Sequence, residues 1–346
     1  MSMEDVARRA LVTAIVVGAV VVLALALWKL KLLLVLLFLA FTLAAAMRPS
    51  VEALARRRIP RGAGILLHYA VLAALLSLLL WAVVPRAIHQ IQEALGEAET
   101  EGGFKGDALG WLNQRLERLP RVEDVFDPAL HLTLLGFEIA IGIFFVFACA
   151  AYWILERDDA VRLVTALVPD RRRRIVRDTW DLIDLKLGAY VRGQALLILF
   201  VATVLSLAFW AIGLPFWLLI GVFAGVVEIV PVIGPLVAGA LAVGVGFTES
   251  VEVGVAAGLI VLVVRLLEDY FVIPRVLGDA VGLSPLVVIV SVAATTILVG
   301  ELAVLLAIPL AAVAATLFEV IVLERDPAEQ EVPTVLFPAQ DAENSP

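Results

Sequence analysis

Long apolar stretches separated by short charged ones run along this chain almost to its end. Near-continuous apolar runs occupy residues 11–28, 30–47, 63–84, 133–155, 195–212, 251–267, 285–299 and 302–323. A helix rising 1.5 Å per residue needs about 20 residues to cross a hydrocarbon core of about 30 Å, so the pattern predicts about eight membrane-spanning helices. The roughly 10-residue alternation of an outer-membrane barrel strand does not occur. The fold class expected is an all-α polytopic membrane protein.

One apolar region differs from the rest. Residues 216–247 are interrupted by Glu228, Pro231, Gly234 and Pro235. Proline lacks the backbone donor and clashes with the preceding turn, so a helix must break there. Broken backbone at membrane depth is tolerated only inside protein or beside a wet cavity. The expected shape is a re-entrant helical hairpin, 216–229 down and 236–247 back, with its tip at 231–235. The plainer alternative is a proline kink in a spanning helix. A second, shorter echo follows: Gly213-Leu214-Pro215 opens the first broken segment, and Gly282-Leu283-Ser284-Pro285 opens another that runs to Gly300-Glu301 and Ile308-Pro309-Leu310. Paired proline-interrupted segments point to a transporter's binding region.

The loops give an orientation. Arg8 and Arg9 precede the first run; Arg48, Arg56, Arg57, Arg58 and Arg61 follow the second; Arg157, Arg162, Arg171, Arg172, Arg173, Arg174, Arg177 and Lys186 follow the fourth. Between the third and fourth runs, residues 85–131 carry mostly acids, from Glu93 to Asp127. The excess of arginine marks the cytoplasmic side, which puts the N-terminus inside and 85–131 outside. The first run is longer than a signal-peptide core and no small-residue cleavage site follows, so it is expected to be retained.

Five regions result: 1–84, three spans with a basic cytoplasmic loop; 85–131, an extracytoplasmic amphipathic helical segment; 132–192, a span plus cytoplasmic amphipathic helices; 193–323, a core with broken helices; and 324–346, an acidic, disordered cytoplasmic tail. In 85–131, Ile88, Ile91 and Leu95, then Leu109, Leu112, Leu116 and Leu119, recur at helical spacing around Gly102, Gly103 and Gly106.

Composition agrees: 62% of the 346 residues are hydrophobic, 17% are charged and mean hydropathy is +1.02. Soluble domains sit nearer half apolar and a quarter charged. The net charge of −8 is concentrated in one loop and the tail, so it selects no partner class. The single cysteine, Cys149, excludes an internal disulfide. His68, His89 and His131 are scattered, so no metal site is expected, and no nucleotide-binding, nucleophile-elbow or zinc-protease motif is present. No set of nucleophile, acid and base converges, so the chain is not expected to be an enzyme or to carry a cofactor. The arginines at 171–174 suit topology or anionic head groups rather than nucleic acid.

The ionisable residues of the second half are the site candidates, because charge in a span is costly. Glu228 lies at the proposed hairpin tip without a local basic partner, so its protonation offers a way to couple transport to a proton gradient. Arg265, Glu268 and Asp269 stand at i, i+3 and i+4 and are expected to pair with one another. Glu301 lies beside the second break. Pro231, Gly234, Pro235 and Pro309 shape the breaks.

Several motifs in register resemble one family. Tyr190-Val191-Arg192-Gly193-Gln194, Gly213-Leu214-Pro215, Pro231-Val232-Ile233-Gly234-Pro235, Ile273-Pro274-Arg275-Val276-Leu277-Gly278, Gly282-Leu283-Ser284-Pro285, Gly300 and Ile308-Pro309-Leu310 look like the autoinducer-2 exporter family of bacterial and archaeal membrane proteins. The resemblance implies a permease of the inner or plasma membrane with re-entrant elements, assembled as a homo-oligomer, with a pentamer as the candidate. It also implies export of a small polar solute, or sodium (lithium)/proton antiport in some members. A reading of another class is a non-transporting membrane scaffold that holds a partner through residues 160–187.

Overall fold

The computed structural model describes residues 3–98, 126–230, 233–276, 283–330 and 332. Among them the backbone forms only helices and turns. In chain order these are α1 (Met3–Lys29), α2 (Lys31–Arg56), α3 (Arg61–Ala98), α4 (Phe126–Ala166), α5 (Asp170–Ala211), α6 (Trp217–Val227), α7 (Ile233–Glu249), α8 (Val251–Leu267), α9 (Pro285–Leu298) and α10 (Ala307–Ile321). A π-helical turn, Glu268–Val272, continues α8, and a 3-10 turn, Glu301–Leu306, leads into α10.

Among the described residues, six helical stretches are long and apolar enough to cross a membrane: Val12–Lys29, Lys31–Arg56, Arg61–Gln90, Gly136–Ala166, Asp170–Ala211 and Ala303–Ile321. The eight spans expected are not all of full length. α8 has 17 residues and α9 has 14, about 25 and 21 Å at helical rise. Their starts are fixed by Ser250 and Ser284, whose side chains accept from the backbone N–H three residues on. Gly300, at φ 120°, stops the run after α9 with a conformation glycine tolerates best.

Several loops expected between elements are instead helix. α3 runs through Pro85 into the amphipathic segment, and α5 joins the amphipathic helix after Asp170 to the apolar run at 195–212. The glycines and second helix expected beyond residue 98 lie outside the described residues. The start of the tail, expected to be disordered, packs on α5: Arg174 pairs with Asp326 at 2.9 Å, Lys186 donates to Gln330 at 2.9 Å and Pro327 is buried. Lys186, on the inner side of α5, supplies the charge that holds it. Residues 333–346 lie outside the described residues.

Two cores hold the bundle. In one, Ala40, Ala44, Met47 and Val51 of α2 meet Val146, Ala150 and Ile154 of α4. In the other, Leu197, Val201, Leu205 and Phe209 of α5 meet Ile220 and Ala224 of α6, Ala238 and Ala242 of α7, and Ala257 and Val264 of α8. Seven of these seventeen residues are alanine, which lets the helix backbones approach closely. Where α2 crosses α5, Pro49 removes the donor that Ala45 O would receive, and Gly188 fills the space. A Cβ on Gly188 would lie 2.5 Å from that oxygen. Arg192 donates to the next carbonyl, Ala46 O, at 3.1 Å. Between α2, α4, α5 and α10 runs a largely apolar groove of about 1210 Å³.

Candidate functional site

α6 runs back along α5. Gly221 lies against Ser206, Gly225 against Ile198 and Ala202, and the Glu228 carbonyl accepts from Gln194 Nε2 at 3.1 Å. A Cβ on Gly221 or Gly225 would come within 2.2 or 2.6 Å of those neighbours, so only glycine permits the approach. Gln194 is the residue before the apolar run at 195–212. The break after α6 therefore stands at the end of that run carrying Arg192, not at its middle.

The helix stops at Val227 and α7 starts at Ile233. Gly234 makes the return possible: a Cβ there would lie 1.9 Å from Val227 O. Pro235, half-buried, follows in the first turn of α7, where a missing N–H costs nothing. Pro231 lies outside the described residues.

Here the structure departs from the sequence reading of Glu228. Its side chain is 6% exposed and does have a basic partner: Arg265 Nη1 donates to Glu228 Oε1 at 3.0 Å. The same nitrogen reaches Glu268 Oε2 at 3.4 Å, and Nη2 lies 3.0 Å from Asp269 Oδ1. The i, i+3, i+4 pairing expected of Arg265 is present, with Glu228 added across the 37 residues that separate them. One guanidinium thus serves three carboxyl groups, which the planar five-donor fork of arginine suits. Glu268 is 3% exposed and its Oε1 is enclosed without a hydrogen-bond partner among the described residues. The π turn begins at Glu268; such turns re-aim side chains and frequently mark functional sites. A cavity of about 20 Å³, lined by Glu228, Arg265, Glu268, Pro235 and apolar residues of α5 to α8, lies beside the cluster. That is room for about one water.

The other candidates fall elsewhere. Gly213 (φ 71°) and Pro215, with Phe216 (φ 56°), form the tight turn between α5 and α6. Gly193 is buried in α5 beside Gln194, and Arg192 ties α5 to α2. Pro274 is exposed after the π turn; Gly278 lies outside the described residues. Pro285 takes the first helical position of α9, which proline favours. Pro309 is buried in the first turn of α10. The side chain of Glu301 lies outside the described residues. Glu249 and Glu252 are exposed at the α7–α8 turn. No group of histidine, cysteine, aspartate and glutamate able to hold a metal occurs among the described residues.

A second charge network went unpredicted. Asp184 of α5, with a side chain 7% exposed, accepts from Arg157 Nε of α4 at 2.7 Å and from Arg48 Nη1 of α2 at 3.4 Å. Arg157 also bonds Asp181. Read along the chain, Arg48 and Arg157 are topology charges; that they converge on one acid needs the three-helix arrangement. His68 is likewise satisfied, between Ser50 Oγ and Gly64 O.

A multi-pass helical membrane protein, with a broken helix ending on a buried acid–arginine cluster, is the class this structure defines. The family model of the AI-2E family transporters matches residues 15–323, and the chain belongs to that family. It is 26% identical over 286 residues to YrrI of Bacillus subtilis (strain 168), provisionally named a transport protein, covering 77% of this chain and 80% of YrrI. It is 31% identical over 159 residues to YueF of the same organism, likewise provisionally named, covering 46% of this chain and 42% of YueF. MT0215 of Mycobacterium tuberculosis (strain CDC 1551 / Oshkosh), also so named, is 25% identical over 313 residues, covering 85% of this chain and 84% of the relative.

Proposed function

We propose that the chain is a secondary transporter that moves a small polar solute across the cell membrane, as an exporter or permease, with the break between α6 and α7 as its working part. One observation carries the reading: Glu228, at the end of a broken helix, is buried and held by Arg265 of another helix. An acid buried at the end of an apolar helix bundle and paired across helices is costly to keep, which makes it a functional candidate. Glu228 and Arg265 latch α6 to α8. A cationic or hydrogen-bonding solute that competes for the carboxyl groups releases that latch. The small cavity at the cluster corresponds to a closed conformation, and transport requires the α6–α7 hairpin and α8 to part.

The proposed setting is the inner or plasma membrane, with the arginine-rich ends of α2, α4 and α5 in the cytoplasm. The C-terminal segment is placed on the same side, because Asp326 and Gln330 pair with Arg174 and Lys186 of α5. The α6–α7 pair, and α9 with α10, are read as the proline-interrupted hairpins of the transport core. Assembly is read as a homo-oligomer, with a pentamer as the candidate.

Sodium (lithium)/proton antiport is a second reading with its own support. Three carboxyl groups surround one guanidinium, and Glu268 Oε1 has no partner among the described residues. Such a site has negative charge to spare for a cation. The scaffold reading finds an apolar groove in α5 and its neighbours, but membership of a transporter family weighs against it.

The test is flux into proteoliposomes across imposed pH and sodium gradients, wild type beside Glu228→Gln. Sodium-driven proton movement lost in the variant selects antiport. Flux of an organic solute with neither gradient effective selects the permease. A wild-type protein and variant that transport equally well would remove Glu228 from the mechanism.

A further inference from the structure

The apolar groove between α2, α4, α5 and α10 is separate from the acid cluster. At about 1210 Å³ it exceeds the roughly 300–1,000 Å³ of small-molecule pockets. Its wall is aromatic. Trp153 and Trp180 stack at 5.8 Å between centroids, and Phe41 stands edge-on to them at 5.1 and 6.4 Å. Its mouth is apolar too: Leu34, Leu37, Leu317 and Ile321 are exposed, Ile321 by 71%.

One end differs. Arg172, Arg174 and Arg325 line it, with Glu324 and Asp326 beside them. Arg174 is paired with Asp326 and Arg325 with Glu319, whereas Arg172 has no ion-pair partner among the described residues.

Two demands follow: an apolar body for the slot and negative charge for Arg172. A polar solute leaves the slot unsatisfied. A helix of a second copy fills the slot, yet the apolar runs of this chain carry almost no acid to meet Arg172. We propose that the groove binds an anionic phospholipid, its acyl chain along the aromatic wall and its phosphate at Arg172. Lipid tails are as apolar as leucine, so burying a chain in the groove rather than in bulk bilayer favours no lipid over another. Selectivity must therefore come from the head group, through Arg172.

The experiment uses the full chain in bilayers containing lipids with brominated acyl chains, which quench indoles they touch. Brominated phosphatidylglycerol is compared with brominated phosphatidylcholine. The groove's share of the emission is isolated by subtracting that of a Trp153→Phe/Trp180→Phe variant. The expected result is half-quenching at a several-fold lower mole fraction of the anionic lipid, with the preference abolished in Arg172→Gln. That position is exposed, so the substitution leaves the fold intact. Equal quenching by both head groups would reduce the groove to ordinary boundary lipid and overturn the proposal. Absence of quenching by either lipid would mean that protein fills it, and overturns the proposal equally.

Discussion

Replacing Arg265 with alanine removes the one cation that, among the described residues, faces Glu228 and Glu268, whose side chains are 6% and 3% exposed. Breaking a buried ion pair by deleting one partner costs about 3–5 kcal/mol, since the remaining charge has neither water nor counter-ion. Arg265 is itself 31% exposed, so solvent recovers part of this, and the expected loss is about 2–3 kcal/mol. The assay is thermal unfolding in detergent micelles followed by tryptophan emission. Unfolding entropy of about 2.1 cal/mol/K per residue over 346 residues makes each kcal/mol worth roughly 1.4 °C, so the midpoint should fall by about 3–4 °C. A second substitution separates charge from packing. Glu228→Gln in the Arg265→Ala background removes one stranded carboxylate and should recover part of the loss, giving a coupling energy of about 1 kcal/mol or more. Arg265→Lys should retain charge but lose the fork, and fall in between. If Arg265→Ala lowers the midpoint no more than Arg174→Gln, whose side chain is 70% exposed, the cluster is not a buried electrostatic unit and the latch is refuted.

Asp184→Asn should destabilise the α2–α4–α5 crossing by about 2–3 kcal/mol, less than a full pair because Asp181 still faces Arg157; the same unfolding midpoint checks it. Gly188→Val adds a side chain where even a Cβ meets Ala45 O at 2.5 Å, and should cost about 1–3 kcal/mol or block folding, read as yield of monodisperse protein. Gly234→Ala forces the hairpin apart at Val227 O and should lower both the midpoint and transport, whereas Gly244→Ala, with open space around it, should change neither. Ser250→Ala removes the cap of α8 and should cost about 1 kcal/mol.

Much of this arrangement is legible along the chain, and what is not has a common cause. The spans, the break at Glu228 and the ion pairs of Arg265 with Glu268 and Asp269 all rest on local spacing: apolar length, a proline that cannot continue a helix, and i, i+3 and i+4 neighbours. The pairs that escaped join helices. Arg265 to Glu228 and Arg48 to Asp184 depend on which helix lies beside which, and a single sequence of apolar runs specifies that weakly, because lipid-facing and protein-facing leucines look alike. The glycines hold the missing information. Gly188, Gly221, Gly225 and Gly234 each stand where a Cβ would meet another segment's backbone or side chain within 2.6 Å, so each marks a contact. Gly221 and Gly225, four apart on one face of α6, mark the face that lies on α5. Glu228 then sits beside Gln194, at the arginine-bearing end of the apolar run. Under the proposed transport function that placement predicts a mechanism: an acid at that end needs only a short path to the aqueous phase on one side, and the longer path, along α6 and α7 towards Gly213 and Glu249, would be the one to open during a transport cycle.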